Sequence, residues 1–402
     1  MTIEEKLQAL GGLDALYDGE GAAPVRLPRM RRAPAGGGIF YAQAGGGRCV
    51  PLLRVLMTNV CEFNCRYCSI NCHRPVRRTA FKPEELARTF MDMLRRRLVR
   101  GLFLSSGVAG GATKTAERML TAVEILRQRE GFAGYIHLKI MPGQPADYIE
   151  RAVTLADRVS VNVEAATPAH LARIAPKKSY DLLLPPMAEV HRLQQRHPNL
   201  LRAGQITQLV VGAAGESDQR VMQTAGELYD SYSLRRVYYS GYSPVCGEVL
   251  APPVPPLRQH RLYQADWLLR FYGFVFPELP FQEDGSLPRE ADPKAAWALL
   301  HPERFPIEVN QATYDQLLRV PGIGPVSARR ILTLRADHAF RDLRQLSPLG
   351  VAVKRARQFL LLDGRYLGDR LLAERPTLVR DLSPVQLSLW GDEIPLLEPV
   401  AA

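Results

Sequence analysis

The chain has 402 residues, of which 46% are hydrophobic and 23% are charged, close to ordinary globular usage. This length predicts one large domain and a smaller module rather than a single core. Lys and Arg outnumber Asp and Glu by 52 to 41, for a net charge of +11, which favours a polyanionic partner, with a solvated basic surface as the alternative. No apolar run is long enough to span a bilayer and the first residues are acidic, so we expect a cytoplasmic protein without a signal peptide.

Residues 1–48 are predicted to form an N-terminal extension. Leucines at positions 7, 10, 13 and 16 give a short helical pattern, and a run rich in Gly, Pro and Arg follows them. Such a run favours loops over regular structure, so we expect the extension to lead into the first domain.

Between residues 49 and 290, short apolar runs alternate with amphipathic segments, as in repeated strand–helix units. The predicted strands are Leu52–Leu56, Gly101–Leu104, Tyr135–Ile140, Arg158–Val163, Gln205–Val211 and Arg236–Tyr239. The predicted helices between them are Pro83–Leu98, Thr115–Arg129, Ala146–Ala156 and Asp218–Tyr229. This order predicts an α/β fold with a parallel sheet, open or closed into a barrel, whose ligands gather at the carboxyl ends of the strands. Pro-containing runs at 251–256 and 283–293 place a domain boundary near one of them.

Four of the six cysteines lie within twelve positions, at Cys61, Cys65, Cys68 and Cys72. In a long chain without a secretion signal, this crowding favours metal binding over disulfides. Three thiolates on one loop can bind three irons of a cubane and leave the fourth iron open to a small chelating molecule. Zinc is the alternative, because His73 lies next to Cys72.

The Cys-x-x-x-Cys-x-x-Cys motif after a first strand, with Tyr67 just before its third cysteine, resembles the signature of the radical S-adenosylmethionine (SAM) superfamily. The resemblance implies that Cys61, Cys65 and Cys68 hold a [4Fe-4S] cluster. It also implies that S-adenosyl-L-methionine chelates the open iron, and that one electron from an external donor yields methionine and a 5'-deoxyadenosyl radical. Cys72 departs from the motif, and we interpret it as a free thiol because a fourth ligand would block the open iron.

The resemblance extends to a predicted cofactor shell. Where the superfamily often has Gly-Gly-Glu after the second strand, this chain has Ser105, Ser106 and Gly107, whose hydroxyls and carbonyls can accept ammonium hydrogen bonds. The other candidates are Tyr67 in the motif, Asn162 and Glu164 after the fourth strand, and Val211 and Gly212 at the end of the fifth. Lys139, Gln144, Lys177 and Lys178 are either substrate contacts or solvated residues. Cys246 and Tyr239 are candidate hydrogen donors to a product radical, with core packing as the alternative.

Residues 291–372 are predicted to form a smaller, all-α module. Two short helices joined by Pro321-Gly-Ile-Gly-Pro325 resemble the helix-hairpin-helix DNA-binding motif, in which glycines allow a tight turn and helix amides point at a phosphate. A degenerate second hairpin follows at 343–359. The candidate DNA-binding residues are Gly322, Gly324, Ser327, Arg329 and Arg330. Such a module contacts the backbone rather than base edges, and a helical packing or protein-interaction domain is the alternative.

The tail, residues 373–402, contains Gln386-Leu-Ser-Leu-Trp390. This segment resembles the peptide by which bacterial DNA enzymes bind the replication sliding clamp, with Leu389 and Trp390 as apolar anchors. Docking of the same segment on the protein's own core is an equal alternative.

Taken together, the parts predict a partial (β/α)6 TIM-like barrel followed by a helix-hairpin-helix domain. Their order resembles a bacterial group of radical SAM proteins described as acting in DNA modification or repair, which is associated with a uracil-DNA-glycosylase-like partner. The resemblance implies that DNA is the substrate class. An RNA-modifying enzyme and a non-catalytic iron-sulfur DNA-binding protein are the rival hypotheses.

Overall fold

The structure, a computed structural model, describes residues 1–11, 38–44, 48–244, 249–366 and 368. The chain folds into two compact units. The first unit comprises Met1–Glu216 and Glu227–Pro255, and the second comprises Ser217–Gly226 and the described residues from Pro256 onward.

A seven-stranded sheet forms the centre of the first unit. Its strands are β1 (Ile39–Ala44), β2 (Arg48–Leu56), β3 (Gly101–Ser105), β4 (Tyr135–Lys139), β5 (Arg158–Ser160), β6 (Gly204–Val211) and β7 (Arg236–Gly241). They lie in the sheet in chain order, with β2 to β7 parallel and β1 antiparallel to β2. Six parallel strands in sequential order, joined to one another by helical crossovers, confirm the predicted partial (β/α)6 barrel.

The helices assigned with these strands are α1 (Ile3–Leu10), α2 (Pro83–Arg95), α3 (Gly111–Glu124), α4 (Ala146–Leu155), α5 (Pro168–Ile174), α6 (Tyr180–Arg196) and α7 (Asp218–Tyr232). A π-helical turn, Ile125–Arg129, extends α3. In α2, Pro83 occupies the first turn, where its missing N–H costs nothing, and Leu86, Phe90 and Met93 form the buried stripe expected of an amphipathic helix. None of the described helices is long and apolar enough to cross a membrane.

In the first unit, three elements differ from the sequence predictions. The strand β1 lies in the segment predicted as an extension, where flanking glycines hide its short apolar pattern. The helices α5 and α6 were not predicted, and α6 contains Pro185 and Pro186, which in a sequence indicate a helix end. All six predicted strands are confirmed, with ends that shift by a few residues.

The second unit is mainly helical. Its helices are α8 (Pro256–Phe271), α9 (Pro293–Leu300), α10 (Tyr314–Arg319), α11 (Pro325–Arg335) and α12 (Val353–Ala356), with 3-10 turns at Phe276–Glu278, Pro302–Arg304, Leu343–Gln345, Ser347–Leu349 and Arg357–Phe359. A three-stranded sheet of β8 (Ile307–Glu308), β9 (Leu360–Leu362) and β10 (Arg365–Tyr366) accompanies them. The module therefore contains strands and is not the all-α module that the sequence predicts. Strands of two and three residues are too short to leave a detectable alternation in the sequence.

Two helical hairpins pack reciprocally in this unit. The amide of Ala352 donates to the carbonyl of Gly322 at 2.9 Å, and a Cβ on Gly322 would lie 2.7 Å from the carbonyl oxygen of Ala352. With φ of 92° at Gly322, only glycine fits this turn comfortably. In return, a Cβ on Gly350 would lie 3.1 Å from the hydroxyl of Ser327. The predicted first hairpin is confirmed, and the degenerate second one supports its turn.

Candidate functional site

The cysteine motif lies on the loop that follows β2. Asn59 and Asn71 brace this loop through their side chains. Asn59 donates to the carbonyl of Arg77 at 2.9 Å and accepts from the amide of Thr79 at 2.7 Å. The buried Asn71 donates to the carbonyl of Cys65 at 3.2 Å. Loop backbone that is held away from water needs such partners, and here they fix the segment that carries the thiols.

Arg78 ties the two ends of the loop together. Its guanidinium donates to the carbonyls of Ile70 at 2.7 Å, Asn71 at 2.6 Å and Arg74 at 3.0 Å, and also to that of Asn59. A planar fork with five N–H donors can serve several acceptors at once, which a lysine ammonium cannot do in the same geometry.

We therefore expect Arg78→Lys to lower the affinity of the loop for iron roughly 10- to 100-fold, the usual effect of losing a supporting contact around metal ligands. Iron content after anaerobic reconstitution at limiting iron measures this. Arg77→Lys is the matched control, because the side chain of Arg77 is exposed to solvent. Equal iron retention by the two variants would contradict the role of Arg78.

All three motif cysteines line one cavity at the carboxyl ends of the barrel strands. Cys65 is buried, and Cys61 and Cys68 are partly exposed. The other residues that line the cavity are Phe63, Tyr67, Ile70, Ser105, Ser106, Gly107, Val108, Lys139, Ile140, Met141, Pro142, Val161, Asn162, Glu164, Lys178, Leu183 and Gln208. The structure thus brings six of the eight predicted cofactor-shell residues together with the thiols.

Gly107 allows the loop after β3 to lie against the cysteine loop. A Cβ at this position would overlap the carbonyl oxygen of Val60 and lie 3.2 Å from Cβ of Cys61. The amide of Gly107 donates to the carbonyl of Thr58 at 2.8 Å. Glu62 completes the contact by accepting from the amides of Gly110 and Gly111, at 2.5 and 3.2 Å. These contacts hold the loop after β3 and the cysteine loop in a fixed position relative to each other.

Glu164 follows β5 in a left-handed conformation, with φ of 69°. A non-glycine residue at such φ is strained and persists only where its surroundings hold it there. Here, the amide of Glu164 donates to the carbonyl of Gln208 at 2.9 Å, and its carbonyl accepts from the amide of Val210 at 2.7 Å. Its Oε1 accepts from Lys178 Nζ at 2.9 Å, whereas Oε2 is buried without a hydrogen-bond partner among the described residues. Such an atom can accept a hydrogen bond from a bound ligand or from water.

Burial and neighbouring charges shift the pKa values of the titratable groups around the cavity. Burial raises the pKa of the Cys65 thiol, and burial together with the charge of Glu164 holds the pKa of Tyr67 well above its ordinary value. Burial disfavours the ammonium of Lys178, but the charges of Cys65 and Glu164 outweigh this and raise its pKa. These charges favour the protonated form of Lys178 beside the thiols.

The remaining predicted residues lie elsewhere or outside the described residues. Val211 and Gly212 do not line the cavity; the Glu216 carboxylate accepts from the amide of Gly212 and fixes this turn. Tyr239 is fully buried in β7 and is not part of the cavity lining. Cys246 lies outside the described residues, as do the clamp-like segment and the rest of the tail.

Cys72 is partly exposed and is not among the residues that line the cavity. Gln208, which does line it, was missed by sequence reasoning. A polar residue that interrupts the apolar run of β6 is the signal that could have found it, because alternate residues of a barrel strand point inward.

The predicted hairpin residues differ in exposure. Gly324 caps α11 in an extended conformation, and Arg329 is exposed. Arg330 is also exposed, with Nη1 3.3 Å from the carbonyl of Leu349. Ser327 is buried and faces Gly350, so its side chain serves the pairing of the hairpins.

The donor set fits an iron-sulfur cluster. No three His, Cys, Asp or Glu side chains among the described residues converge on a single-ion site, but a cubane does not need such convergence because each thiolate binds a different iron. Three thiols share one cavity with an unpartnered Glu164 oxygen and two serines. The Glu164 oxygen and the serine hydroxyls can accept hydrogen bonds from the amine or hydroxyls of a small molecule bound beside the cluster.

The sequence matches two family models. Residues 55–228 match the model described as the radical SAM superfamily, and residues 304–349 match the helix-hairpin-helix motif. No curated protein matches at a significant level.

Among solved structures, the chain is similar to HydG, a maturase of the [FeFe]-hydrogenase, at 12% identity and a TM-score of 0.44, over 54% of this chain and 49% of that chain. HydG from Carboxydothermus hydrogenoformans gives 15% identity and a TM-score of 0.42, over 52% of this chain and 49% of that chain. Methylornithine synthase (PylB) gives 14% identity and a TM-score of 0.41, over 52% of this chain and 60% of that chain. The chain spans about half the length of HydG.

Proposed function

We propose that this chain, which contains a radical SAM domain and a helix-hairpin-helix motif, is an enzyme that modifies or repairs DNA by radical chemistry. The observation that carries the proposal is the convergence of Cys61, Cys65 and Cys68 on one cavity in a chain that also has a nucleic-acid-binding motif. The net charge of +11 supports a polyanionic substrate.

The superfamily uses a [4Fe-4S] cluster and S-adenosylmethionine. In this chain Cys61, Cys65 and Cys68 would hold the cluster. When bound, these groups supply a 5'-deoxyadenosyl radical that abstracts a hydrogen atom. The protein itself binds and orients: Ser105 and Ser106 accept hydrogen bonds from a ligand amine, and Oε2 of Glu164 accepts one from an amine or a ribose hydroxyl. The apolar walls, including Phe63, keep water from the reacting atoms.

The helical hairpin is proposed to position the enzyme on the phosphate backbone. The first amides of α11 lack intrahelical partners and carry the positive end of the helix dipole. Exposed Arg329 adds a cation near this end. Contacts of this kind bind without reading sequence.

Arg329→Gln is expected to weaken binding to duplex DNA uniformly across sequences. It should also reduce the slope of log affinity against log salt by about one, because one fewer counterion is released. Fluorescence anisotropy over a salt series measures this. Arg129→Gln, which removes the same charge from an exposed site in the other unit, is the control and should leave the slope unchanged. Identical slopes for the two variants would argue against the hairpin as the DNA contact.

The substrate class is tested by incubating the reconstituted protein, dithionite and SAM with damaged DNA, native DNA or folded RNA. Nucleoside mass spectrometry then identifies any altered base, while chromatography measures 5'-deoxyadenosine. A change confined to DNA is expected. A change only in RNA would favour the rival RNA-modifying enzyme, and a DNA-bound protein that releases no deoxyadenosine would favour the non-catalytic iron-sulfur binder.

Three partners belong to the same proposal. The resemblance to the DNA-modification group suggests a uracil-DNA-glycosylase-like protein, and the segment Gln386–Trp390 suggests the sliding clamp. An external one-electron donor is required by the chemistry. Cys246 and Tyr239 stay predicted hydrogen donors.

A further inference from the structure

The end of α5 and the loop that joins it to α6, residues 174–179, contact the cysteine loop at several points. The amide of Arg66 donates to the carbonyl of Ile174 at 2.8 Å. The amide of Lys177 donates to Oδ1 of Asn64 at 3.2 Å, and its ammonium donates to the carbonyl of Glu62 at 3.1 Å. All three contacts fall on residues between Cys61 and Cys68, so the two loops share a fixed geometry.

The two neighbouring lysines of this loop have different surroundings. Lys177 is exposed. The side chain of Lys178 is only 10% exposed, and its ion-pair partner Glu164 only 6%. The ammonium of Lys178 also lies 5.4 Å from the centre of the Phe63 ring and lines the cavity together with the three motif cysteines. Lys177 is therefore exposed to solvent, whereas Lys178 lines the cavity that contains the thiols.

We propose that the buried Lys178–Glu164 pair sets the reduction potential of the iron-sulfur cluster, with Lys178 favouring the reduced state and Glu164 opposing it. The inference rests on the proposed cluster. Reduction takes one electron from a low-potential donor such as dithionite, breaks no bond in the protein and adds one negative charge among the thiolates. A fixed cation in a dry site stabilises that charge far more than a solvated one.

The position of the pair makes its effect specific. Lys178 and Glu164 line the same cavity as Cys61, Cys65 and Cys68, and both side chains of the ion pair are buried. The backbone of Glu164 is left-handed and hydrogen-bonded to β6, which fixes the point from which its carboxylate extends. Removing one member of the pair leaves the other buried and uncompensated, so the two removals act in opposite directions.

The test is an EPR-monitored redox titration of the anaerobically reconstituted full-length protein without SAM. Lys178→Met is expected to lower the equilibrium constant for reduction by about tenfold or more, which corresponds to about 59 mV for a one-electron couple. Glu164→Gln is expected to raise it. Lys178→Arg, which keeps the charge, and Lys114→Met, which removes an exposed charge from α3 of the same unit, should both titrate like the parent.

Unchanged potentials in Lys178→Met, with full iron content, would overturn the inference while leaving the proposed function intact. If Lys178→Met does not assemble a cluster, Glu164→Gln decides: a potential equal to that of the parent overturns the inference, and a raised one supports it. A parent protein that assembles no cluster would instead refute the proposed function itself.

Discussion

Replacing Cys65 with alanine is expected to abolish SAM cleavage, with a loss well beyond the roughly 10- to 100-fold effect of removing a supporting contact. Cys65 is the buried member of the three thiols, and without it a second iron, in addition to the one left open for SAM, has no protein ligand. The measurement is 5'-deoxyadenosine release by anaerobically reconstituted protein with dithionite, alongside iron and sulfide content.

Cys72→Ala is the matched control, because Cys72 lies in the same segment but does not line the cavity. It should retain both cluster and cleavage. A Cys65→Ala variant that cleaves SAM as well as the parent would refute the mechanism, and a Cys72→Ala variant that loses the cluster would refute the assignment of three ligands.

Gly107→Ala is expected to have the second-largest effect, although it adds a single methyl group. The new Cβ would overlap the carbonyl of Val60 and crowd Cys61. The carbonyl of Val60 and the Cβ of Cys61 cannot move aside unless the cysteine loop moves with them. Overpacking of this kind costs roughly 1–3 kcal/mol of folding stability, and here the strain falls on the cluster ligands. We expect a lowered melting temperature and a cluster that assembles poorly.

Gly226→Ala provides the control. Gly226 lies inside α7, and a Cβ there meets nothing within 4 Å. Because alanine restricts the unfolded chain and favours helix, this variant should gain about 0.4–1 kcal/mol. Thermal unfolding and iron content measured on both variants check the pair. A Gly107→Ala protein as stable and as iron-rich as the parent would show that the two loops need not touch.

The strands of the barrel were predictable because each is a short apolar run bounded by turn residues, and the order of strands and helices then allows few topologies. The strand β1 and the helix α6 were not predictable from the sequence. Glycines flank β1 and an internal pair of prolines lies in α6, and these breaker residues outweigh the periodic pattern. In α6 the buried stripe of Leu183, Met187 and Val190 stabilises the helix despite Pro185 and Pro186.

The residues of the candidate site also divide into those that the sequence could predict and those that it could not. The cysteine spacing and the polar strand ends at Ser105 and Glu164 could be found because they break a pattern within one segment. The roles of Gly107 and Lys178 could not, because they depend on which loops approach each other. Lys177 and Lys178 look alike in the sequence, and only the docking of their loop on residues 62–66 separates a solvated lysine from a buried one.

The central claim is that three cysteines of this chain hold a cluster with one iron left open to SAM. The most direct measurement is EPR and Mössbauer spectroscopy of the reduced, anaerobically reconstituted protein before and after SAM is added. The claim predicts about four irons per chain and a spectrum that changes when SAM binds. Zinc in place of iron, or a cluster ligated by four thiolates including Cys72 whose spectrum ignores SAM, would contradict it.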